Sequence, residues 1–379
     1  MADKPETITV ERSAFLPALT LVRKAVQPRT TIPILANMLF VVEGGRLTLT
    51  GSDLDVEISA TIACAGVRSL AVTLPAAILH DAVRKLPDGA EITITVDGGN
   101  AKVVAGRTRF SMPILPASDF PHISAGELPH GFELPGLTLA RILGTVAFAI
   151  SSEETRYYLN GIYFHATEDH LKTVATDGHR LSMLALPLPD GAAGMPGIIV
   201  PKRAVDLLKD FAGEKERVQF ALSGSKIRFS IAGEDGSPRF SMTSKLIDGT
   251  FPDYTRVVPA RHPNSFVLAR EALAKAIDRV VTISAGAKGS AVKFGFAPEA
   301  LTLSARNADI GDAEDEVTVE KGEGEPVEIG FNGRYCLDML SASNVDRATF
   351  YIGDAGSPAR IEPEDDGAAT FVIMPMRVA

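Results

Sequence analysis

The triplet Asp177-Gly178-His179 sets a carboxylate and an imidazole two residues apart, which is the raw material of an acid–base pair. Such a pair needs something to act on, and no nucleophile or metal partner stands near it in sequence. A lone histidine in a polar turn is more often structural. The two cysteines, Cys64 and Cys336, lie far apart with no partners at metal-ligand spacing, so neither a zinc site nor a disulfide framework is indicated. The chain also lacks a phosphate-cradling glycine loop and a nucleophile elbow. These residues predict no catalytic side chain, no metal and no cofactor. The competing reading, a three-domain β-rich hydrolase built on Asp177 and His179, requires an activity that His179→Ala abolishes.

The elements that must position this triplet occur three times, with a period of about 125 to 130 residues, which is domain-sized and too long for a solenoid unit. Arg109-Phe110-Ser111-Met112 recurs as Arg239-Phe240-Ser241-Met242, and each is followed by Phe-Pro, at Phe120-Pro121 and Phe251-Pro252. Phe371-Val372-Ile373-Met374 is a weaker third copy. Alternating segments at 47–50, 171–175 and 301–305 run into the polar turns Ser52-Asp53, Thr176-Asp177 and Arg306-Asn307, so each reads as a strand entering a turn. Apolar residues at steps of three and four predict helices over 75–86, 201–211 and 332–343. Pro75 and Pro201 suit a first turn there, and Asn332 suits an N-cap. Each block opens with a further helix, near 13–26, 138–150 and 270–283, followed by a strand at 38–42, 161–165 or 291–296. The fold class is α+β: three repeated domains, 1–125, 126–257 and 258–379, each with two helices and antiparallel sheets.

With 45% hydrophobic and 22% charged residues, the 379-residue chain can bury two or three ordinary cores. The first ten residues do not read as a secretory signal, and no apolar run is long enough for a bilayer, so a cytoplasmic, nucleoid-associated protein with no membrane partner is expected. The net charge of -9 argues against a bulk electrostatic grip on nucleic acid. Its distribution is uneven, however. Six helical windows taken as 12–26, 75–86, 138–150, 201–211, 269–283 and 332–343 hold 13 basic and 6 acidic residues, a net +7, which leaves -16 for the strands and loops. Helices sharing one face would present a positive surface on a negative molecule, and duplex DNA attracts such a surface without regard to sequence. Basic residues that merely cap helix ends would give the same count.

Specific motifs run in order along the whole chain. They are Thr31-Ile32-Pro33-Ile34-Leu35-Ala36-Asn37, Leu115-Pro116-Ala117-Ser118-Asp119-Phe120-Pro121, Tyr157-Tyr158-Leu159-Asn160-Gly161 and Ala175-Thr176-Asp177-Gly178-His179-Arg180-Leu181. Phe251-Pro252-Asp253-Tyr254, Phe331-Asn332 and Met374-Pro375-Met376-Arg377 follow. In these the sequence resembles the bacterial DNA polymerase III beta sliding clamps. The resemblance implies a head-to-tail homodimer whose six domains form a ring around duplex DNA, helices inside and sheets outside. It implies no enzymatic activity and a processivity role. The implied partners are the polymerase III alpha subunit, the clamp loader, and other polymerases, mismatch-repair proteins and ligase that share one pocket.

The resemblance also implies sites. The partner-peptide pocket maps to Leu159, Thr176, Gly178, His179, Arg180 and Leu181, with Pro252, Arg256 and Val257. Asn332, Tyr335, Val372, Met374, Pro375, Met376 and Arg377 complete it. Methionines suit such a pocket because their side chains repack around different ligands. DNA contacts map to Arg29, Arg84, Lys202 and Arg203, with Tyr157 and Tyr158 assisting. The dimer interface maps to Phe110 and Met112 against Thr282 and Ile283. Phe110 and Met112 alternate with polar neighbours as in an edge strand with one apolar side. The small Ala285-Gly286-Ala287-Lys288-Gly289 stretch implies an altered or weaker dimer contact. The Arg377-Val378-Ala379 tail runs one residue beyond the usual end of the family, and Gly356-Ser357-Pro358 makes an altered loop; either could shift ligand preference.

Overall fold

The computed structural model describes residues 6–27, 30–67, 69–124, 126–211, 213–284, 291–343, 345–364 and 366–378. They gather into two compact units, one of residues 1–139 with 206–246 and the other of 140–205 with 247–379. Six α-helices occur among the described residues: α1 Arg12–Arg23, α2 Ala76–Arg84, α3 Gly136–Val146, α4 Lys202–Leu208, α5 Arg270–Ser284 and α6 Gly333–Ala342. All six stand where the apolar spacing puts them, with ends shifted by a few residues. Pro75 is the residue before α2 and Pro201 closes a strand before α4, so both sit one place earlier than a first helical turn. A ring nitrogen without a hydrogen is harmless there, because the first amides of a helix have no intrahelical partner. Asn332 caps α6, its Oδ1 accepting from the amides of Arg334 at 3.0 Å and Tyr335 at 3.3 Å.

In the first unit an eight-stranded antiparallel sheet joins two repeats. Strands Ser69–Pro75, Asn37–Glu43, Arg46–Ser52 and Val56–Ala63 belong to the first repeat. Strands Pro238–Lys245, Lys226–Ala232, Arg217–Leu222 and His130–Pro135, from the second, continue the sheet. The second unit repeats the device in a twelve-stranded sheet, where Arg180–Pro187 of the second repeat pairs with Ala369–Ile373 of the third. Shared sheets therefore decide the compact units, which divide the second repeat between them. A five-stranded sheet completes the first unit, with Thr108–Pro113 at one edge. The edge reading of Phe110 and Met112 is thus met: Met112 is buried, Phe110 half-buried, and the residues between and beside them are exposed.

The two sheet junctions share one construction. In each, the strand carrying the repeated Phe-rich motif pairs antiparallel with the strand that follows the polar turn. The pairing sets Met242 opposite Ile58 and Phe371 opposite Ser182. The turns align Asp53 with Asp177, so Phe371 stands in the place of Met242. The sequence frame that sets Phe371-Val372-Ile373-Met374 against Arg239-Phe240-Ser241-Met242, and so Phe371 against Arg239, is therefore three residues out. Both turn carboxylates accept amide hydrogens of the residues two and three ahead: Asp55 and Val56 for Asp53, His179 and Arg180 for Asp177. That local geometry is what Asp and Asn favour over continued strand. Asn307 makes the first of these bonds, to Asp309, in the third repeat.

Candidate functional site

The Asp177 turn, a 3-10 segment Glu154–Leu159, the loop after Phe251 and the last strand converge on a cavity of about 250 Å³ in the second unit. Leu181 and Val372 are paired neighbours in the sheet, each 2% exposed. With Leu159, Phe251 and Tyr254 they form part of a small apolar core beneath the opening. Pro252, Val257 and Met374 bring apolar surface to the wall, and Val257 and Met374 stay more than a third exposed. Apolar side chains that remain wet at a concave mouth gain free energy when a ligand covers them, at roughly 25 cal/mol per Å².

Polar groups fix this geometry from behind. Tyr254 presents its ring to the cavity while its hydroxyl lies 3.0 Å from Nε2 of His165. Burial pushes the Tyr254 phenol up to about 12 and lowers the His165 imidazole, so both stay neutral near pH 7. Tyr163 stacks between His165 and Phe251, with centroids 4.9 and 4.8 Å away. The Arg180 guanidinium donates to three acceptors: Asp177 Oδ2 at 3.0 Å, Asp338 Oδ2 on α6 at 2.6 Å and the Phe148 carbonyl at 2.9 Å. It also lies 4.2 Å above the Tyr335 ring. Arg156 donates to Glu153 at 2.8 and 2.7 Å and to the Asp177 carbonyl at 3.0 Å. Those hydrogen bonds hold the Glu153 carboxyl below the usual carboxylate range.

Nine expected pocket residues line the cavity: Leu159, Thr176, Gly178, Arg180, Leu181, Pro252, Val257, Val372 and Met374. His179 is exposed and stacks on Tyr335 instead, with ring centroids 6.4 Å apart. Asn332 is committed to capping α6. Arg256 pairs with Asp253 at the surface, both well exposed. Pro375, Met376 and Arg377 line a second hollow, together with Ala355 and Gly356. Arg156, Tyr158, Asp253 and Tyr254 line the first cavity without having been expected there. Tyr254 stands inside the quoted Phe-Pro-Asp-Tyr motif, and Arg156 follows Glu153 at ion-pair spacing, so both carried a readable signal. Tyr158 was assigned to DNA contact; it packs against the apolar core beneath the cavity, while Tyr157 is 53% exposed.

The Asp177–His179 pair does not form an acid–base couple. One Asp177 oxygen accepts the turn amides and the other accepts from Arg180. The described residues contain no group of three or more His, Cys, Asp or Glu side chains arranged to hold a metal ion. Among the expected DNA contacts, Arg84, Lys202 and Arg203 are exposed on α2 and α4, and Arg29 lies outside the described residues. Thr282 is exposed and Ile283 half-buried at the end of α5; the stretch 285–289 and Ala379 lie outside the described residues.

The equivalent positions at the junction in the first unit are polar. Glu57 holds the place of Leu181 and Thr243 that of Val372. The Glu57 carboxylate accepts the Ile123 amide at 3.1 Å and lies 3.4 Å from His122. A repeated scaffold carries apolar residues over a cavity at one junction and polar, hydrogen-bonded ones at the equivalent positions of the other.

Three family models match the chain in series. They are the DNA polymerase III beta subunit N-terminal domain over residues 7–124, central domain over 133–253 and C-terminal domain over 255–377. The chain belongs to the DNA polymerase III beta subunit family. Relatives named beta sliding clamp include that of Caulobacter vibrioides, 42% identical over 98% of this chain and all of its own. That of Escherichia coli is 34% identical over 98% of this chain and 99% of its own. A crystal structure of the Bartonella birtlesii sliding clamp, bound to griselimycin, matches with a TM-score of 0.92 and 41% identity over 99% of this chain and 100% of that one. A structure of the Pseudomonas aeruginosa clamp matches at 0.93 and 34%, over 99% and 100%. The family is a non-catalytic one, the processivity subunit of DNA polymerase III, which leaves the hydrolase reading without support.

Proposed function

We propose that this chain pairs head to tail with a second copy into a ring enclosing duplex DNA, and that its cavity takes short apolar segments of proteins working on that DNA. The observation that carries the reading is the cavity itself, an apolar recess braced by Arg180 and Tyr254 at one sheet junction, with polar residues at the equivalent positions of the other. Within it we assign the expected sixteen pocket residues their binding role, with those on the tail and around Tyr335 serving the flank. The chain divides functionally into three clamp domains at 1–125, 126–257 and 258–379.

Ring closure follows from the repeat. Both junctions join a motif strand to a post-turn strand, and two such strands have no partner on that side among the described residues. Thr108–Pro113 is the first repeat's motif strand, and residues 311–318 of Gly311–Glu323 follow the third repeat's turn. A second copy supplies each with its missing neighbour, and repetition of such a heterologous contact closes a ring. Phe110 and Met112 then meet the end of α5 at Thr282 and Ile283, and Arg109 approaches the exposed Glu314 and Glu316. We assign the exposed Arg84, Lys202, Arg203 and Tyr157, together with Arg29, to contact with the enclosed DNA; Tyr158, packed at the cavity, belongs to the pocket instead. Contacts to phosphate alone permit sliding because they carry no sequence preference. Polymerase III alpha, the clamp loader, other polymerases, mismatch-repair proteins and ligase compete for the cavity, in the cytoplasm.

The test is affinity for the alpha subunit with Met374→Glu, a change at a partly exposed rim position that leaves the core intact. A carboxylate facing apolar anchors should weaken binding at least about tenfold, equivalent to 1.4 kcal/mol. Equal binding by the variant removes the cavity from the account.

A further inference from the structure

Met374, just past the last strand, lines the cavity, and a segment outside regular structure keeps its place only if something ties it down. After Ile373 the backbone continues beside the Asp177 turn, with the Met374 amide donating to the His179 carbonyl at 2.8 Å. Two residues on, the Met376 amide donates to the Gly330 carbonyl at 2.8 Å, on the strand Val327–Asn332. That strand is the outer edge of the twelve-stranded sheet. The tail therefore straps across from the last strand pairing to an otherwise open edge. Met374 lines the cavity, and the next residues, Pro375, Met376 and Arg377, line the second hollow, so one short stretch of chain serves both.

Gly330 is what lets the strap lie down. Its φ lies outside the left-handed region, so backbone conformation does not demand glycine there. Space does. A Cβ on residue 330 would stand 2.3 Å from the Met376 carbonyl oxygen and 2.6 Å from Val378 Cγ1. Backbone has to move to relieve the first of these, and the backbone that is free to move is the tail. Val378 seals the arrangement, both of its methyl groups lying over the position a side chain would take.

We propose that Gly330 is a positioning residue for partner binding: by admitting the tail against the sheet edge, it holds Met374 in the cavity wall although it lines only the second hollow. This rests on the partner-binding reading of the cavity. Any side chain at 330 lifts residues 375–378 and opens the wall.

The experiment measures binding of the polymerase III alpha subunit to full-length wild type, Gly330→Ala and a chain ending at Pro375, alongside amide exchange. Gly330→Ala should accelerate exchange at the Met376 amide and weaken alpha binding about three- to tenfold, mostly through faster dissociation. Exchange at Leu181 and Val372 and the melting temperature should stay at wild-type values, which a general loss of structure would not permit. The truncated chain, which also removes Met376 and Arg377 from the assigned pocket residues, should weaken alpha binding at least as much as Gly330→Ala. Should wild type fail to bind alpha, the partner-binding reading fails first. Wild-type affinity in both variants, with the Met376 amide exposed in Gly330→Ala, overturns the role of Gly330 and leaves the cavity reading standing.

Discussion

Replacing Arg180 with lysine keeps the charge and removes the fork. Arg180 is only 12% exposed and joins three separate parts of the second unit: the Asp177 turn, the Phe148 carbonyl and Asp338 on α6. A single ammonium cannot reach all three acceptors in that geometry, and we expect it to keep Asp177. The Phe148 carbonyl then loses a charge-assisted donor, at about 1.5–3 kcal/mol. Asp338 is 51% exposed, so its pair is discounted to at most about 1 kcal/mol. The contact over Tyr335 adds about 0.5–1 kcal/mol. The loss comes to roughly 2–5 kcal/mol, the range of other broken buried networks. In native-state hydrogen exchange, amides of α6 and of the 177–181 turn should then open about 30-fold faster or more, since 1.4 kcal/mol is tenfold. Arg256→Lys, at an exposed ion pair, is the control and should change nothing. If α6 exchanges alike in wild type and Arg180→Lys, the guanidinium is not the brace described here.

Gly178 has φ +87, and a Cβ there would stand 2.4 Å from Nη1 of Arg156. Gly178→Ala should cost about 1–2 kcal/mol in stability and lower alpha affinity severalfold, read by melting and titration together. Asp235 is held down to about 2 by the Ser237 hydroxyl and amide and by Arg46. Its folded value lies below the unfolded one, so its stabilisation is present above about pH 4 and disappears as pH falls toward 2. A carboxyl-carbon NMR titration should show the low midpoint, and Arg46→Ala should raise it. Burial pushes the Cys336 thiol far up and leaves it inside α6, whereas Cys64 is partly exposed. Iodoacetamide at pH 8 should label Cys64 first, and Cys336 only on unfolding.

Helices and strands were legible because their periodicity is local: Ile78, Leu79, Ala82 and Val83 announce α2 whatever lies beside it. The sharing of sheets between repeats was not, since nothing local says that Pro238–Lys245 pairs with Val56–Ala63 some 180 residues away. The same limit explains the third motif copy, whose frame only cross-strand register fixes. Residues on the turn and last strand, such as Leu181 and Val372, were found through motifs. Arg156 was missed because its role depends on reaching the Asp177 carbonyl across a fold contact. Gly330 resembled any strand glycine until the tail lay over it.

Enclosure is most directly tested by loading the protein onto nicked circular DNA, washing at high salt, and then cutting the circle. Ring closure around the duplex predicts retention on the intact circle through the wash, because salt weakens phosphate contacts but cannot open a topological link, and prompt release on linearisation. Loss from circular and linear DNA at the same salt-dependent rate would contradict the account, since contacts alone would then be holding the protein.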